Sequence, residues 1–157
     1  MLFRSTEQAP ERNRENLLWS LSRIQGFVGA TNAFGPMRGE RFAELADQMA
    51  AAMAELASRG LLFVDARGGA VGGAWGRGVD VVLDDNEDRD RIDARLDELS
   101  TLAREKGSAL GLAMLPRPAT VDRIAAWANG LAAKGVALAP VSAIALAPPT
   151  APKGPAK

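Results

Sequence analysis

The chain has 157 residues, sets 19 Lys and Arg against 19 Asp and Glu, and contains no histidine, cysteine or tyrosine. These absences exclude histidine acid–base pairs, cysteine nucleophiles, Ser-His-Asp triads, structural zinc and disulfides, and leave carboxylates, which favour Mg, Ca or Mn, as the means of holding a metal. A net charge of zero offers no basic surface for phosphates, so no nucleic-acid partner is expected.

No apolar run approaches the ~20 residues of a membrane span. The charged N-terminus, with Arg4, Glu7, Glu11, Arg12, Arg14 and Glu15, does not read as a signal peptide. With 47% hydrophobic but only 5% aromatic residues, the core must be built mainly from Ala, Leu and Val. The expected organisation is a flexible stretch over 1–10, one α/β domain over 11–146, and a disordered tail over 147–157 with four prolines and two lysines.

In chain order, apolar residues recur at helical spacing over 11–25 (Leu17, Leu18, Leu21, Ile24), 40–59 (Phe42, Leu45, Met49, Met53, Leu56), 88–106 (Ile92, Leu96, Leu99, Ala103) and 120–134 (Ile124, Trp127, Leu131). Each run is followed by a glycine, at Gly26, Gly60, Gly107 and Gly135, as expected where a helix closes through a left-handed residue. After each glycine comes a short apolar run without helical period: 27–30, 61–64, 109–113 and 136–139. A fifth runs from Val79 to Leu83. Such runs suit parallel strands covered by helices, giving an α/β architecture with right-handed crossovers. Ligands bind at the carboxyl ends of strands in such folds, which directs attention to Asn32, Asp65, Asp84 and Met114.

Residues 66–78 hold six glycines but neither the G-x-G-x-x-G spacing nor the Lys-Ser/Thr of a P-loop, so this stretch reads as a mobile, degraded crossover. In the run Asp84-Asp85-Asn86-Glu87-Asp88, Asp88 is expected to cap the next helix. Asp84 and Asp65 are open between structural and functional roles. The Asn32 amide suits either a ligand or a turn. Trp19 and Trp127 fall at helical spacing and are expected in the core, whereas Trp75, in the glycine-rich stretch, is the best candidate for an exposed aromatic that stacks on a sugar.

Four collinear stretches resemble the divergent polysaccharide deacetylase family over roughly residues 15–145: Leu21 to Gly35; Gly60-Leu61-Leu62-Phe63-Val64-Asp65; Val81-Val82-Leu83-Asp84-Asp85 with Ile92; and Ala103 through Gly107-Ser108 to Pro118-Ala119-Thr120. Val136 to Ser142 is similar to the family's last strand. The resemblance implies part of a deformed (β/α) barrel of polysaccharide-deacetylase type, with about five mostly parallel strands. It also implies a metal-dependent chemistry in which histidines and an aspartate hold the ion and an aspartate activates water.

The histidine of the family's Asn-Asn-His-Met-Gly motif falls on Ala33, and that of Ile-Gly-His-Pro on Met114 or Leu115. The opening strand, with its Asp-Asp pair, has no counterpart before residue 11. The expectation is therefore a member without competent catalysis and without a bound metal, acting as a glycan- or partner-binding remnant of carbohydrate or cell-envelope metabolism. Its ligand would sit near Asn32, Asp65, Trp75, Asp84 and Asp85, with Asp65 and Asp84 as catalytic remnants.

One alternative is an active carbohydrate deacetylase with Mg or Mn on Asp65, Asp84 and Asp85. Another is an assembly protein whose exposed strand edge pairs with a second copy. The resemblance implies the periplasm, whereas a chain beginning at this Met1, without an export signal, is expected in the cytoplasm.

Overall fold

The computed structural model describes residues 9–33, 44–115 and 117–147, and helices and short strands occur over most of the periodic and apolar runs. The order is α1 (Pro10–Leu21), β1 (Gly29–Thr31), α2 (Ala46–Ser58), β2 (Leu62–Asp65), β3 (Gly76–Gly78), β4 (Val81–Val82), α3 (Arg89–Lys106), β5 (Gly111–Leu112), α4 (Pro118–Gly130), a 3-10 turn (Ala132–Lys134) and α5 (Val141–Ile144). It is an α/β fold: β1 pairs in parallel with β2, β4 in parallel with β5, and helices flank the strands. The expected flexible start lies outside the described residues up to position 8, and the expected disordered tail from 148 onward.

The described residues form two compact units, one comprising 9–33, 44–65, 70–76 and 146–147, the other 66–69, 77–115 and 117–145. In the first, the sheet order is β1-β2-β3, and Met53, Leu56, Phe63 and Ala74 form the core. Helix α1 meets α2 through polar contacts: Asn13 Nδ2 donates to Gln48 Oε1 at 2.9 Å, and buried Glu55 accepts from Arg14 and Arg59. In the second unit, Val81 and Leu83 pack with Ile92, Leu96 and Leu99 of α3, while Ile124 and Trp127 of α4 close over them.

All four expected helix-closing glycines have positive φ, but they do different things. At Gly60, the Gly60 N–H bonds Ala57 O and the Leu61 N–H bonds Leu56 O, the paired closure of a Schellman motif. Gly135 repeats the pattern with Leu131 and Ala132. Gly107 closes α3 directly at φ 81.

Gly26 does not cap α1, which stops at Leu21, four residues before its expected end. Near that end the Ser20 and Ser22 hydroxyls bond the carbonyls of Asn16 and Trp19, side-chain competition that weakens a helix. Ile24, expected on the buried stripe, is therefore 61% exposed. Trp19 is also no core residue: it lies about 200° around the helix from buried Leu17, and the Arg23 guanidinium sits 4.7 Å from its ring centroid.

Two further expectations are corrected. The glycine-rich stretch is not wholly a loop, because its last residues form β3, with Phe63 N–H donating to Trp75 O and Gly76 pairing antiparallel with Leu146. Glycine makes this approach feasible, since a Cβ at Gly76 would lie 2.2 Å from the Phe63 carbonyl oxygen. Conversely, 136–139 is not a strand. The Val136 N–H is spent on Leu131 O, alanine contributes little strand propensity, and Pro140 has no N–H to give.

Replacing Gly107 by Ala should cost about 1 kcal/mol, because the residue is left-handed but meets open space. Gly76→Ala should cost more than Gly107→Ala, since backbone must move to admit the methyl. Urea unfolding midpoints of the two variants should fall in that order.

Candidate functional site

Strands β1 and β2 run in parallel with Thr31 opposite Val64, so the next residues, Asn32 and Asp65, emerge at the same carboxyl edge. The Thr31 hydroxyl accepts the Ala33 N–H at 3.1 Å and turns the chain there. Asn32 Nδ2 donates to Asp65 Oδ1 at 2.9 Å, and Asp65 is 8% exposed. The two polar residues singled out at this edge are thus joined. The methyl of Ala33, where the family's first histidine falls, is buried.

Trp75 belongs to the same unit and is 55% exposed, as expected of it. Its carbonyl pairs with Phe63, two residues before Asp65 along β2, a spacing of about 7 Å.

In the other unit, Asp84 follows β4 and the Met114–Leu115 turn follows β5. Asp84 is buried, and its two oxygens divide the work: Oδ1 accepts the Met114 N–H at 2.7 Å and Oδ2 the Leu115 N–H at 2.8 Å. The turn therefore faces Asp84 with its backbone, while the side chains of Met114 and Leu115 are exposed.

Asp85 bonds Arg95 at 3.3 Å. Asn86 Oδ1 accepts the Asp88 N–H, and Asp88 Oδ1 accepts the Asp90 N–H at 2.8 Å, so Asp88 caps α3 as its position requires.

A second anchor in this unit was not singled out from the sequence. Arg77 donates from Nη1 to Ser108 Oγ and from Nη2 to both Asp80 Oδ2 and the Ser108 carbonyl. Asp80 Oδ2 also accepts the Leu110 N–H at 2.9 Å, fastening the entry to β5. Burial pushes the Asp80 carboxyl up, but the Leu110 N–H, the Arg77 guanidinium and the Lys106 ammonium together hold it below its ordinary value. The available signal was an arginine and an aspartate three residues apart just before a short strand; the thirty-residue reach to Ser108 and Leu110 left no pattern to read.

Among the described residues the positions matching the family's histidines offer no imidazole to a metal ion. The two positions matching family histidines carry a methyl and a thioether or branched alkyl group. Asp84 has both oxygens engaged by amides. Among the described residues no three carboxylates gather as ligands.

With parallel strands and flanking helices established, the relationship to known proteins follows. The profile of the divergent polysaccharide deacetylase family matches residues 5–145, and the chain belongs to that family. A crystal structure of an uncharacterized protein from Agrobacterium tumefaciens superposes with a TM-score of 0.74 at 25% identity, over 88% of this chain and 58% of that one. The chain thus spans little more than half the length of that solved relative. A search of curated proteins found no match.

Asp84→Asn should cost roughly 1–3 kcal/mol, because the amide nitrogen cannot accept and one turn N–H loses its partner. Amide exchange at Met114 and Leu115 should quicken with it. Because Asp80 has a folded-state pKa below its unfolded value, its stabilising contribution is present above about pH 4 and is lost as pH falls through the folded value. An acid titration of stability should therefore lose part of its low-pH slope in Asp80→Asn.

Proposed function

We propose that this member of the divergent polysaccharide deacetylase family binds a glycan of the cell envelope without hydrolysing it, and that it works in the periplasm. The observation that carries the non-catalytic half is the double engagement of Asp84, each of whose oxygens accepts one backbone N–H. A carboxylate used in this way is a structural clamp, and a general base would need to reach a water instead.

The glycan half is supported by the carboxyl edge of β1 and β2. There the Asn32 amide and the Asp65 carboxylate form one hydrogen-bonded pair, suited to hydroxyl and acetamide groups; Trp75, exposed in the same unit and bonded through its backbone to Phe63 of β2, offers an apolar ring for a sugar's C–H face. Asp84 and Asp85 are left out of this ligand site, since the first holds a turn and the second an arginine.

The test is titration with chitooligosaccharides, following tryptophan fluorescence. A saturable change that disappears in Trp75→Ala and weakens about tenfold or more in Asp65→Asn is the expected result, from loss of a stacking ring and of a charged acceptor. An unchanged spectrum at millimolar sugar overturns the binding reading. Elemental analysis after loading with Mn or Zn addresses the other half: stoichiometric metal, together with acetate release from the same oligosaccharides, overturns the loss of catalysis and favours the carboxylate-held Mg or Mn enzyme.

A further inference from the structure

The second unit contains a cavity of about 560 Å³ between α3 and α4 on one side and β5 with residues 136–139 on the other. Its origin can be read in the side chains. Ala103, Ala109, Gly111, Ala113, Ala137 and Ala139 all contribute to its lining, and small groups leave space that larger ones would fill. The failure of 136–139 to pair as a strand adds to the gap.

Several side-chain polar groups around the cavity bond one another or nearby backbone. Trp127 Nε1 donates to Ser100 Oγ at 2.8 Å, Ser100 Oγ donates to the Leu96 carbonyl at 3.0 Å, and Ser108 Oγ accepts from Arg77. Apolar groups make up most of the lining. The opening is apolar as well, with Leu138 in the lining and 68% exposed.

We propose that this cavity is a binding site for a single unbranched alkyl or acyl chain, with the chain's polar end left at the Leu138 mouth. The volume falls within the range of small-molecule pockets. The space is of a size to take an unbranched chain such as that of dodecanol. The site lies within one unit and uses none of Asn32, Asp65 or Trp75, so it stands or falls apart from the glycan reading.

Trp127 in the wall provides the readout. Titrating the full chain with dodecanol should change tryptophan fluorescence saturably, raise Tm, and displace the neutral fluorophore phenylnaphthylamine. Ala103→Phe, which fills the cavity from α3, should weaken dodecanol at least about tenfold while leaving Tm unchanged or raised. Ala113→Phe does the same from the strand side, and serves should the first variant fold poorly.

Three results overturn the proposal. One is absence of dodecanol binding by the parent chain. Another is a parent-like affinity in whichever filled variant folds, or a fall in Tm in both, which would mean the cavity is closed in solution. The third is binding to phosphatidylcholine vesicles, or concentration-dependent dimerisation by light scattering, without any dodecanol response, which would assign the apolar mouth to a membrane or to a second copy.

Discussion

The carboxylate of Asp84, buried and shared between the amides of Met114 and Leu115, fixes the chemistry of the carboxyl end of the β4–β5 pair. A buried carboxylate needs compensation, and two charge-assisted N–H bonds provide it. In doing so they dictate that the turn presents backbone inward and side chains outward. Asp84 thereby fastens the turn that follows β5.

The same economy appears elsewhere in the molecule. Asp80 joins Arg77 to the entry of β5, so one short parallel pair is tied by a carboxylate before it begins and by another after it ends. Two strands of two residues each bury little on their own, and these anchors set their register where side-chain burial alone would define it weakly. The first unit uses an ion pair differently: Glu55 gathers Arg14 and Arg59, which ties α1 to α2. The Arg59 hydrogen bond, opposed by burial and helped by Arg14, holds its carboxyl below the usual value.

Family membership and the site chemistry point in different directions, and the residues explain why. Most of what matches the family is scaffold: the Phe63-Val64-Asp65 strand, Val81 to Asp84, and the Gly107 turn that leads into β5. The family pattern survives in positions that build strands and close helices. Where that pattern places imidazoles, this chain has a buried methyl at Ala33 and an exposed apolar side chain at Met114 and Leu115.

Much of the fold and half of the site could be read directly from the chain. Helical stripes, the glycines that follow them, the Asp88 cap and the placement of Asp65 at a strand end are local properties, decided by residues a few positions apart. The exposure of Trp75 followed from the same kind of reasoning. Trp19 did not, because a helical phase misread by two residues moves a side chain to the opposite face.

The lack of imidazole and thiolate chemistry was also settled by the sequence alone, since a missing residue type is missing in every conformation. Only the tertiary structure decided that Gly76–Gly78 pairs as a strand while 136–139 does not, and that Asp65 meets Asn32 across 33 positions. It alone assigned the oxygens of Asp84 to amides 30 and 31 residues away. A hydrogen bond or a close backbone approach depends on which distant segment arrives beside it, and neither periodicity nor composition carries that information.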